Sequence, residues 1–274
     1  MSSPSANVAD DENVATYPSI EGRETNEGRP MNQRRSRVTD PSSEDTLARF
    51  RLRALAAPLV IGSVAFAAPS WASAACGSSG YAYAGVGASR PAFGVATWLQ
   101  TVSSHQVLSG HVAGWIGVGG PGAGPNGTDE WIQVGFSAFP GSSFSSLYYE
   151  VAQPNKAPRY FEVASGLPPG TTRKVAVAEV AGRHSWWRVW VDDHAVGDAV
   201  YLPGSHGAWR PLATTETWGA GSNVCNQFRY KFSSVAVATR AGGGWQRLAR
   251  HYTFQNHGYR IKRLGSATFL AGML

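Results

Sequence analysis

Three polar side chains stand inside segments that are otherwise apolar and rich in strand-forming residues. Gln133 lies in Trp-Ile-Gln-Val-Gly-Phe, Glu150 in Leu-Tyr-Tyr-Glu-Val and Glu216 in Ala-Thr-Thr-Glu-Thr-Trp-Gly. A buried polar group costs free energy unless it is hydrogen-bonded or used in function. A carboxylate can take a proton from water and return it to a leaving group, and an amide can donate to a developing oxyanion. A structural hydrogen bond is the simpler explanation of any one of them taken singly.

Signatures of several other catalytic classes are absent from the sequence. It has no G-x-S-x-G elbow, no H-E-x-x-H zinc motif, no Cys/His zinc spacing and no phosphate-binding loop. Asp192, Asp193 and His194 are metal-binding residue types, but adjacent residues in a turn rarely converge on one ion. We therefore predict a hairpin turn there, and we expect no metal or other cofactor.

The composition predicts an all-β domain that positions these side chains. The chain has 32 Gly, 16 Pro, 10 Trp and 10 Tyr, and 15% of its residues are charged. Short apolar runs separated by Gly/Pro turns are typical of a β-sandwich or barrel. We predict strands near Tyr81–Gly87, Phe93–Gln100, Gly110–Val118, Glu130–Ala138, Leu147–Ala152, Arg159–Val163, Arg173–Val180, Ser185–Asp192, Ala195–Leu202, Trp209–Trp218, Asn226–Ala238 and Tyr259–Ala271. Residues 242–257 are predicted to be linker-like or partly helical.

The segment from Gly110 to Ser137 predicts two antiparallel strands joined by a long Gly/Pro/Asn loop. Because side chains alternate along a strand, one face of each strand should point into the core. That core face would carry Val112, Ile116, Val118, Ile132, Val134 and Phe136. The opposite face would carry His111, Trp115, Trp131, Gln133 and Ser137.

The N-terminal quarter of the chain has the composition of targeting and disordered segments. Residues 1–48 contain almost no large apolar side chains, so we expect them to be disordered. Residues 49–74 combine a basic start, an apolar run and an Ala-x-Ala end, which predicts a secretory signal peptide cleaved after Ala74. A membrane anchor is the alternative, with the domain outside the cell, because the apolar character extends to Ala75.

Cys76 and Cys225 are the two cysteines of the chain, and both follow the proposed cleavage site. In an oxidising compartment such a pair usually forms a disulfide. Two free thiols remain the alternative.

Positive charge is concentrated at the C-terminal end. Residues 75–239 contain ten Lys/Arg and nine Asp/Glu, whereas residues 240–274 contain six Lys/Arg and no acid. A basic segment can contact an anionic surface, but a solvated segment is the simpler interpretation. No nucleic-acid-binding signature accompanies it, so no nucleic-acid partner is expected.

Four short motifs, taken in order, resemble the glutamic peptidases of the eqolisin family. That family has W-V-G-I-D-G, Q-[TA]-G-V, W-Y-E-W and A-E-W segments. The matching residues here are Trp115-Ile-Gly-Val-Gly-Gly, Ile132-Gln133-Val-Gly-Phe, Tyr148-Tyr149-Glu150 and Glu216-Thr-Trp. Gly119, Ser137 and Gly219–Ser222 stand where the family carries acidic residues.

The resemblance implies a secreted, concanavalin A-like jelly-roll β-sandwich over residues 75–274. It implies that Gln133 and Glu216 form a catalytic dyad, meeting directly or through one water on the non-core face of a sheet beside Trp115. Trp115, Tyr149 and Glu150 would contact a polypeptide substrate.

Two other functions are compatible with the same residues. One is a non-catalytic, lectin-like jelly roll that binds glycan or peptide across Trp115, Tyr149 and Trp218. The other is a glycosidase, which would need two facing carboxylates, for which Glu216 and Glu150 are the candidates. No stable membrane association is expected after cleavage, and the oligomeric state is not predicted.

Overall fold

Residues 76–274 fold entirely into strands, turns and loops. A computed structural model of the chain describes these residues, and the predicted disordered segment (1–48) and signal peptide (49–74) lie outside them. No α-helix occurs within 76–274, where the one helical element is a 3-10 turn at Pro125–Gly127. The strands are β1 (Tyr81–Ala88), β2 (Gly94–Thr101), β3 (His111–Gly120), β4 (Glu130–Ala138), β5 (Ser145–Ala152), β6 (Arg159–Leu167), β7 (Thr172–Glu179), β8 (Trp186–Val191), β9 (His194–Tyr201), β10 (Leu212–Trp218), β11 (Arg229–Arg240), β12 (Gly243–Arg247), β13 (His251–Gln255), β14 (Arg260–Gly265) and β15 (Thr268–Gly272).

These strands form two antiparallel sheets with one core between them. The seven-stranded sheet has the order β13-β1-β10-β3-β4-β5-β6. The eight-stranded sheet has the order β14-β15-β11-β2-β7-β8-β9, and β12 pairs with β11. Apolar side chains from both sheets pack together in the core. The prediction of an all-β sandwich of two antiparallel sheets is confirmed.

The central β3–β4 pair has the predicted alternation of side chains. Its buried core residues are Val112, Ile116, Val118, Ile132, Val134 and Phe136. β3 and β4 are Cα partners from Val112↔Ala138 to Gly120↔Glu130, so the alternation of one strand matches that of the other. Trp115 and Gln133 consequently face away from the core, as predicted.

The C-terminal segment differs from its prediction in two places. Residues 242–257 contain two short strands, β12 and β13, rather than a linker or helix, and β13 forms an edge of the seven-stranded sheet by pairing with β1. The predicted single strand Tyr259–Ala271 is a hairpin, β14 and β15. Strands of five residues carry too few alternating positions to be distinguished from loop, because tertiary pairing rather than local pattern stabilises them.

Cys76 and Cys225 form a disulfide with their Cα atoms 5.2 Å apart, which confirms the predicted pairing. The bond joins the first described residue to the segment between β10 and β11. It closes a sequence separation of 149 residues.

The predicted turn at Asp192–Asp193 joins β8 to β9. Both residues have positive φ angles, 48° and 68°, which is the requirement of a type I′ hairpin turn. Within residues 76–274 no set of three His, Cys, Asp or Glu residues is placed to hold a metal ion. The same part of the chain has no helix of the length and apolarity needed to cross a membrane.

Candidate active site

The non-core face of the seven-stranded sheet, called the open face below, gathers most of the polar residues singled out in the sequence. Strand pairing aligns Glu216 with Ala113, Trp115 with Gly135 and Gln133 with Glu150. Because paired residues point to the same side of a sheet, these side chains share one face. The predicted site residues Trp115, Gln133, Glu150 and Glu216 are therefore brought to one surface.

The Glu216 carboxylate is held by two residues of the neighbouring strand β3. His111 Nε2 lies 2.8 Å from Oε1, and Trp115 Nε1 donates to Oε2 at 3.1 Å. Glu216 is 8% exposed, so it is mostly enclosed yet still reaches the surface. The pKa of the Tyr83 hydroxyl is raised well above 10 by its burial, by the Glu216 charge and by a hydrogen bond to that carboxylate. The carboxylate is thus oriented by aromatic and imidazole groups rather than by other acids.

Gln133 is tied to a buried phenol. Its Nε2 donates to Tyr148 Oη at 3.1 Å. Burial, followed by the charges of Glu216 and Glu150, raises the pKa of Tyr148 well above its usual value. The Tyr148 hydroxyl therefore keeps its proton and is free to donate it in a further hydrogen bond. The amide and the phenol together form a donor pair on the open face.

Glu150 is a second carboxylate on the same face. Its Oε1 accepts a hydrogen bond from Trp131 Nε1 at 2.9 Å. Burial raises the pKa of Glu150, the Trp131 hydrogen bond opposes that rise, and the charge of Glu216 adds to it. The charges of Glu150 and Glu216 therefore interact, although two strands, β3 and β4, lie between β10 and β5.

Glu216 and Gln133 face the same way but do not hydrogen-bond to each other; each has the partners given above. Glu216 is level with Ala113 and Ser137, which puts it two strands and four residues away from Gln133. On a flat sheet this offset separates the two Cα atoms by about 16 Å, since strands are about 4.8 Å apart and rise about 3.3 Å per residue. The residue level with Gln133 on β10 is Leu212, across Gly117. No hydrogen bond joins the two side chains directly, and their meeting through one water stays a prediction.

The expectation that Tyr149 lines the cleft is wrong. Tyr149 pairs with Val134 and stacks on Phe161 at 4.6 Å, so it lies on the core side of the sheet. Its hydroxyl approaches Gly197 of the opposite sheet so closely that a Cβ there would lie 2.5 Å from it. Tyr148, the preceding residue, is the tyrosine that faces Gln133. Two adjacent tyrosines give no local signal of which one faces the core.

Sequence reasoning also missed the partners of the acidic groups. His111 was expected on the open face, but its contact with Glu216 depends on the pairing of β3 with β10. Tyr83 reaches the same carboxylate because β1 pairs with β10 on the other side, where Tyr83 is the Cα partner of Glu216. Neither contact has a signal within a single segment of sequence.

No family model and no curated protein matches the sequence. Solved structures do match. Scytalido-glutamic peptidase with a peptide-based transition state analogue is 13% identical at a TM-score of 0.52, and the match covers 72% of this chain and 100% of that chain. The same peptidase with a transition state analogue inhibitor is 14% identical at a TM-score of 0.51, with the same coverage.

The fold is that of a glutamic peptidase.

The glutamic-peptidase fold accounts for the architecture that the four motifs implied. The match covers the entire solved chain, so the whole sandwich is shared and not only the β3–β4 hairpin. At 13% identity the likeness concerns the fold, and the roles of individual side chains in this chain rest on its own geometry.

Proposed function

We propose that this protein is an exported glutamic-type peptidase that hydrolyses polypeptides on the open face. The observation that carries the proposal is the single face shared by the Glu216 carboxylate and the Gln133–Tyr148 donor pair, within the glutamic-peptidase fold. Glu216 is the proton carrier, and Gln133 is the oxyanion stabiliser.

The separation of the two groups defines how they act. A substrate carbonyl and its attacking water lie between them, with the water on the Glu216 side and the carbonyl oxygen on the Gln133 side. Glu216 takes a proton from the water as the water oxygen bonds to the carbonyl carbon. The oxygen that gains negative charge accepts hydrogen bonds from Gln133 and Tyr148. Glu216 then gives the proton to the amine nitrogen as the carbon–nitrogen bond breaks.

His111 and Trp115 support this role by holding Glu216 from two sides, with His111 on the side away from Gln133 and Trp115 on the side towards it. Each contacts a different carboxylate oxygen, which limits rotation of the group. A carboxylate that is already oriented loses less entropy when the substrate binds. His111 also provides a second ionisable group within hydrogen-bond distance of the proton carrier.

Export is proposed from the disulfide and from the signal-like segment. The Cys76–Cys225 bond requires an oxidising compartment to form and persist. N-terminal sequencing of the protein from culture medium should return a start at or near Ala75. Full-length protein found in the membrane fraction alone would favour the anchor.

A second candidate function is non-catalytic binding of polypeptide at the same face. Leu212 stands level with Gln133 where a carboxylate would be needed to share a single water with that amide. Both oxygens of Glu216 already have donors, which is also the arrangement of a structural or binding carboxylate. This candidate predicts peptide affinity without turnover.

The deciding experiment compares Glu216 with an acidic residue of the other sheet. Secreted wild type, Glu216→Gln and Asp198→Asn are incubated with an unfolded protein substrate from about pH 2 to pH 8, where a carboxylate can act as base or acid. Asp198 is exposed on β9 and serves as the matched control. The proposal expects cleavage by wild type and Asp198→Asn and none by Glu216→Gln. A wild type that binds peptides but is inert at every pH establishes the second candidate instead.

A further inference from the structure

Four rings form a row across the open face beside Glu216, called the aromatic row below. They are Tyr81, Trp218, His111 and Phe139, from the ends of β1, β10, β3 and β4. The centroids of Tyr81, Trp218 and His111 form a triangle with sides of 6.0 Å, 5.7 Å and 6.1 Å, and the Phe139 centroid lies 6.1 Å from that of His111. The row crosses the strands at right angles, because Tyr81, Trp218 and His111 are Cα partners.

The aromatic row is open to solvent although its members are large and mostly apolar. Tyr81 is 51% exposed, Phe139 47% and Trp218 37%. Core aromatics such as Phe136 and Tyr230 are fully buried by comparison. Continuous exposed aromatic surface on a folded domain is typical of a binding site.

Small residues lie beside the aromatic row at the level of Glu216. They are Ala113, Ser137 and Ser146 on neighbouring strands, and Ala113 and Ser137 are buried, at 1% and 3% exposure. The next level towards Gln133 carries Trp115. A chain passing the Glu216 carboxylate would therefore contact the exposed rings and not the surface of the sheet below them.

Tyr160 lies over Ser137 and extends the exposed aromatic surface. Its hydroxyl hydrogen-bonds to Ser137 Oγ at 2.9 Å, and its ring stacks on Tyr148 at 4.9 Å. Its edge meets Phe139 at 6.3 Å, which joins it to the aromatic row. Tyr160 is 39% exposed, so the aromatic surface continues from β1 to β6.

The charges of the open face exclude one class of ligand. Glu150, Glu162 and Glu216 lie on it, and none of the β1, β3, β4, β5, β6 or β10 residues that strand pairing places there is Lys or Arg. An acidic side chain beside the aromatic row would face these carboxylates without a Lys or Arg on the same strands to balance them. Neutral side chains meet no such repulsion.

We propose that the aromatic row is a specificity subsite that receives large apolar side chains, aromatic or aliphatic, of an extended polypeptide beside Glu216. Side chains on one side of an extended peptide repeat about every 6.6 Å, so two alternate side chains can both reach the exposed rings. The subsite rejects Asp and Glu at the same positions. This inference rests on the proposed polypeptide substrate.

Binding and turnover are measured separately, so that the failure of the subsite proposal can be distinguished from the failure of the peptidase proposal. Binding is measured with Glu216→Gln protein, and turnover with wild type. The probes are Gly/Ser heptapeptides with two Phe, two Leu or two Asp residues at alternate positions. The expected order is Phe and Leu peptides bound at least about tenfold more tightly than the Asp peptide, since each aromatic contact contributes about 0.5–1.5 kcal/mol.

The row is tested with Tyr81→Ser and Phe139→Ser in the same background, with Tyr201→Ser as control. Tyr201 is 47% exposed on β9 of the other sheet and matches Tyr81 in type and exposure. Each row variant should lower the affinity for the Phe peptide about 3- to 10-fold and leave the affinity for the Asp peptide unchanged. The control should bind both peptides as the Glu216→Gln protein does.

Equal affinity for Phe and Asp peptides, or row variants that bind like the control, would overturn the subsite. Tight binding of a neutral oligosaccharide, with no binding of any of the peptides, would also overturn the subsite. If the peptide preferences hold but wild type does not cleave, the subsite stands and the peptidase proposal fails.

Discussion

His111 Nε2 lies 2.8 Å from Glu216 Oε1, although the two residues are 105 positions apart in the chain. The contact exists because β10 inserts between β1 and β3, with Glu216 level with Ala113. The imidazole also belongs to the aromatic row, since its ring packs between Trp218 and Phe139. His111 thus links the proposed proton carrier to the proposed substrate subsite.

The His111→Phe substitution separates these two roles. Phe keeps a ring between Trp218 and Phe139 but cannot donate to Glu216. Turnover should fall by about 10- to 100-fold, the effect of losing one hydrogen bond to a charged group, while affinity for the Phe heptapeptide is retained. Steady-state kinetics should show the loss in kcat with KM little changed. A loss confined to KM would contradict the orienting role.

Gln133 and Tyr148 should act as one donor pair. Gln133→Ala is expected to lower kcat by about 10²–10³, the usual cost of losing an oxyanion donor. Tyr148→Phe removes only the hydroxyl that accepts the Gln133 amide, and it should give a smaller loss in the same parameter. Adding Tyr148→Phe to the Gln133→Ala variant should lower kcat by a smaller factor than Tyr148→Phe lowers it in the wild type, because the two groups are coupled. Strictly additive losses would show that they act independently.

The disulfide should contribute substantially to stability. The Cys76→Ser/Cys225→Ser double variant is expected to lower the free energy of unfolding by about 2–5 kcal/mol, because the bond restricts a long loop of the unfolded chain. Urea unfolding of the oxidised wild type, the reduced wild type and the double variant measures this. Reduced wild type should match the double variant, and a reduced protein as stable as the oxidised one would refute the prediction.

Glu130 should make the protein less stable as the pH rises. It is fully buried at the start of β4, and neither carboxylate oxygen has a hydrogen-bond partner among residues 76–274. Burial raises the pKa of Glu130 from 4.5 to about 7. The unfolded chain loses this proton near pH 4.5 and the native chain near pH 7, so the free energy of unfolding falls between those values by about 3 kcal/mol.

Replacing Glu130 with Met, which has a similar length and no charge, should remove that decrease. Urea unfolding at pH 4.5, 6 and 8 measures the difference, with the exposed Glu162→Gln as the control that keeps the wild-type dependence. An unchanged pH dependence in Glu130→Met would show that the carboxylate is stabilised by another route.

His105 should make the protein less stable as the pH falls. Its Nε2 lies 2.7 Å from Ser145 Oγ, its ring stacks on Tyr230 at 5.2 Å, and burial lowers the pKa of His105 from 6.5 to about 4. The unfolded chain takes up this proton near pH 6.5, whereas the native chain resists it down to about pH 4. The free energy of unfolding therefore falls by about 3 kcal/mol as the pH drops through that range.

His105→Gln should flatten that part of the stability curve, while the exposed His194→Gln should leave it as in wild type. Thermal unfolding between pH 4 and pH 7 provides the measurement. If both variants show the wild-type decrease, groups other than His105 cause the loss of stability at acidic pH.

Local sequence was sufficient for the features that depend on neighbouring residues. The period-two alternation in β3 and β4 predicted which side chains enter the core, because alternation is a property of any extended strand. The Asp192–Asp193 turn followed from residues that tolerate positive φ. The oxidising context suggested by the N-terminal segment predicted the pairing of two cysteines that lie 149 residues apart.

Tertiary structure decided the features that depend on register between distant strands. Four short motifs predicted that Glu216 and Gln133 act as a dyad, directly or through one water. The pairing of β10 with β3 places Leu212 level with Gln133 and brings His111 into contact with Glu216. Register is a non-local property, since a shift along one strand leaves that strand's own pattern unchanged while altering every partner across the sheet.

Strand register also determines the different orientations of Tyr148 and Tyr149. Both are tyrosines in one strand, and only the pairing of β4 with β5 determines that Tyr148 faces Gln133 while Tyr149 faces the core. The aromatic row is assembled in the same way, from the ends of four strands spread between Tyr81 and Trp218. The residue types at the site can thus be predicted from the sequence, whereas the packing and register of the sheet determine which residues they contact.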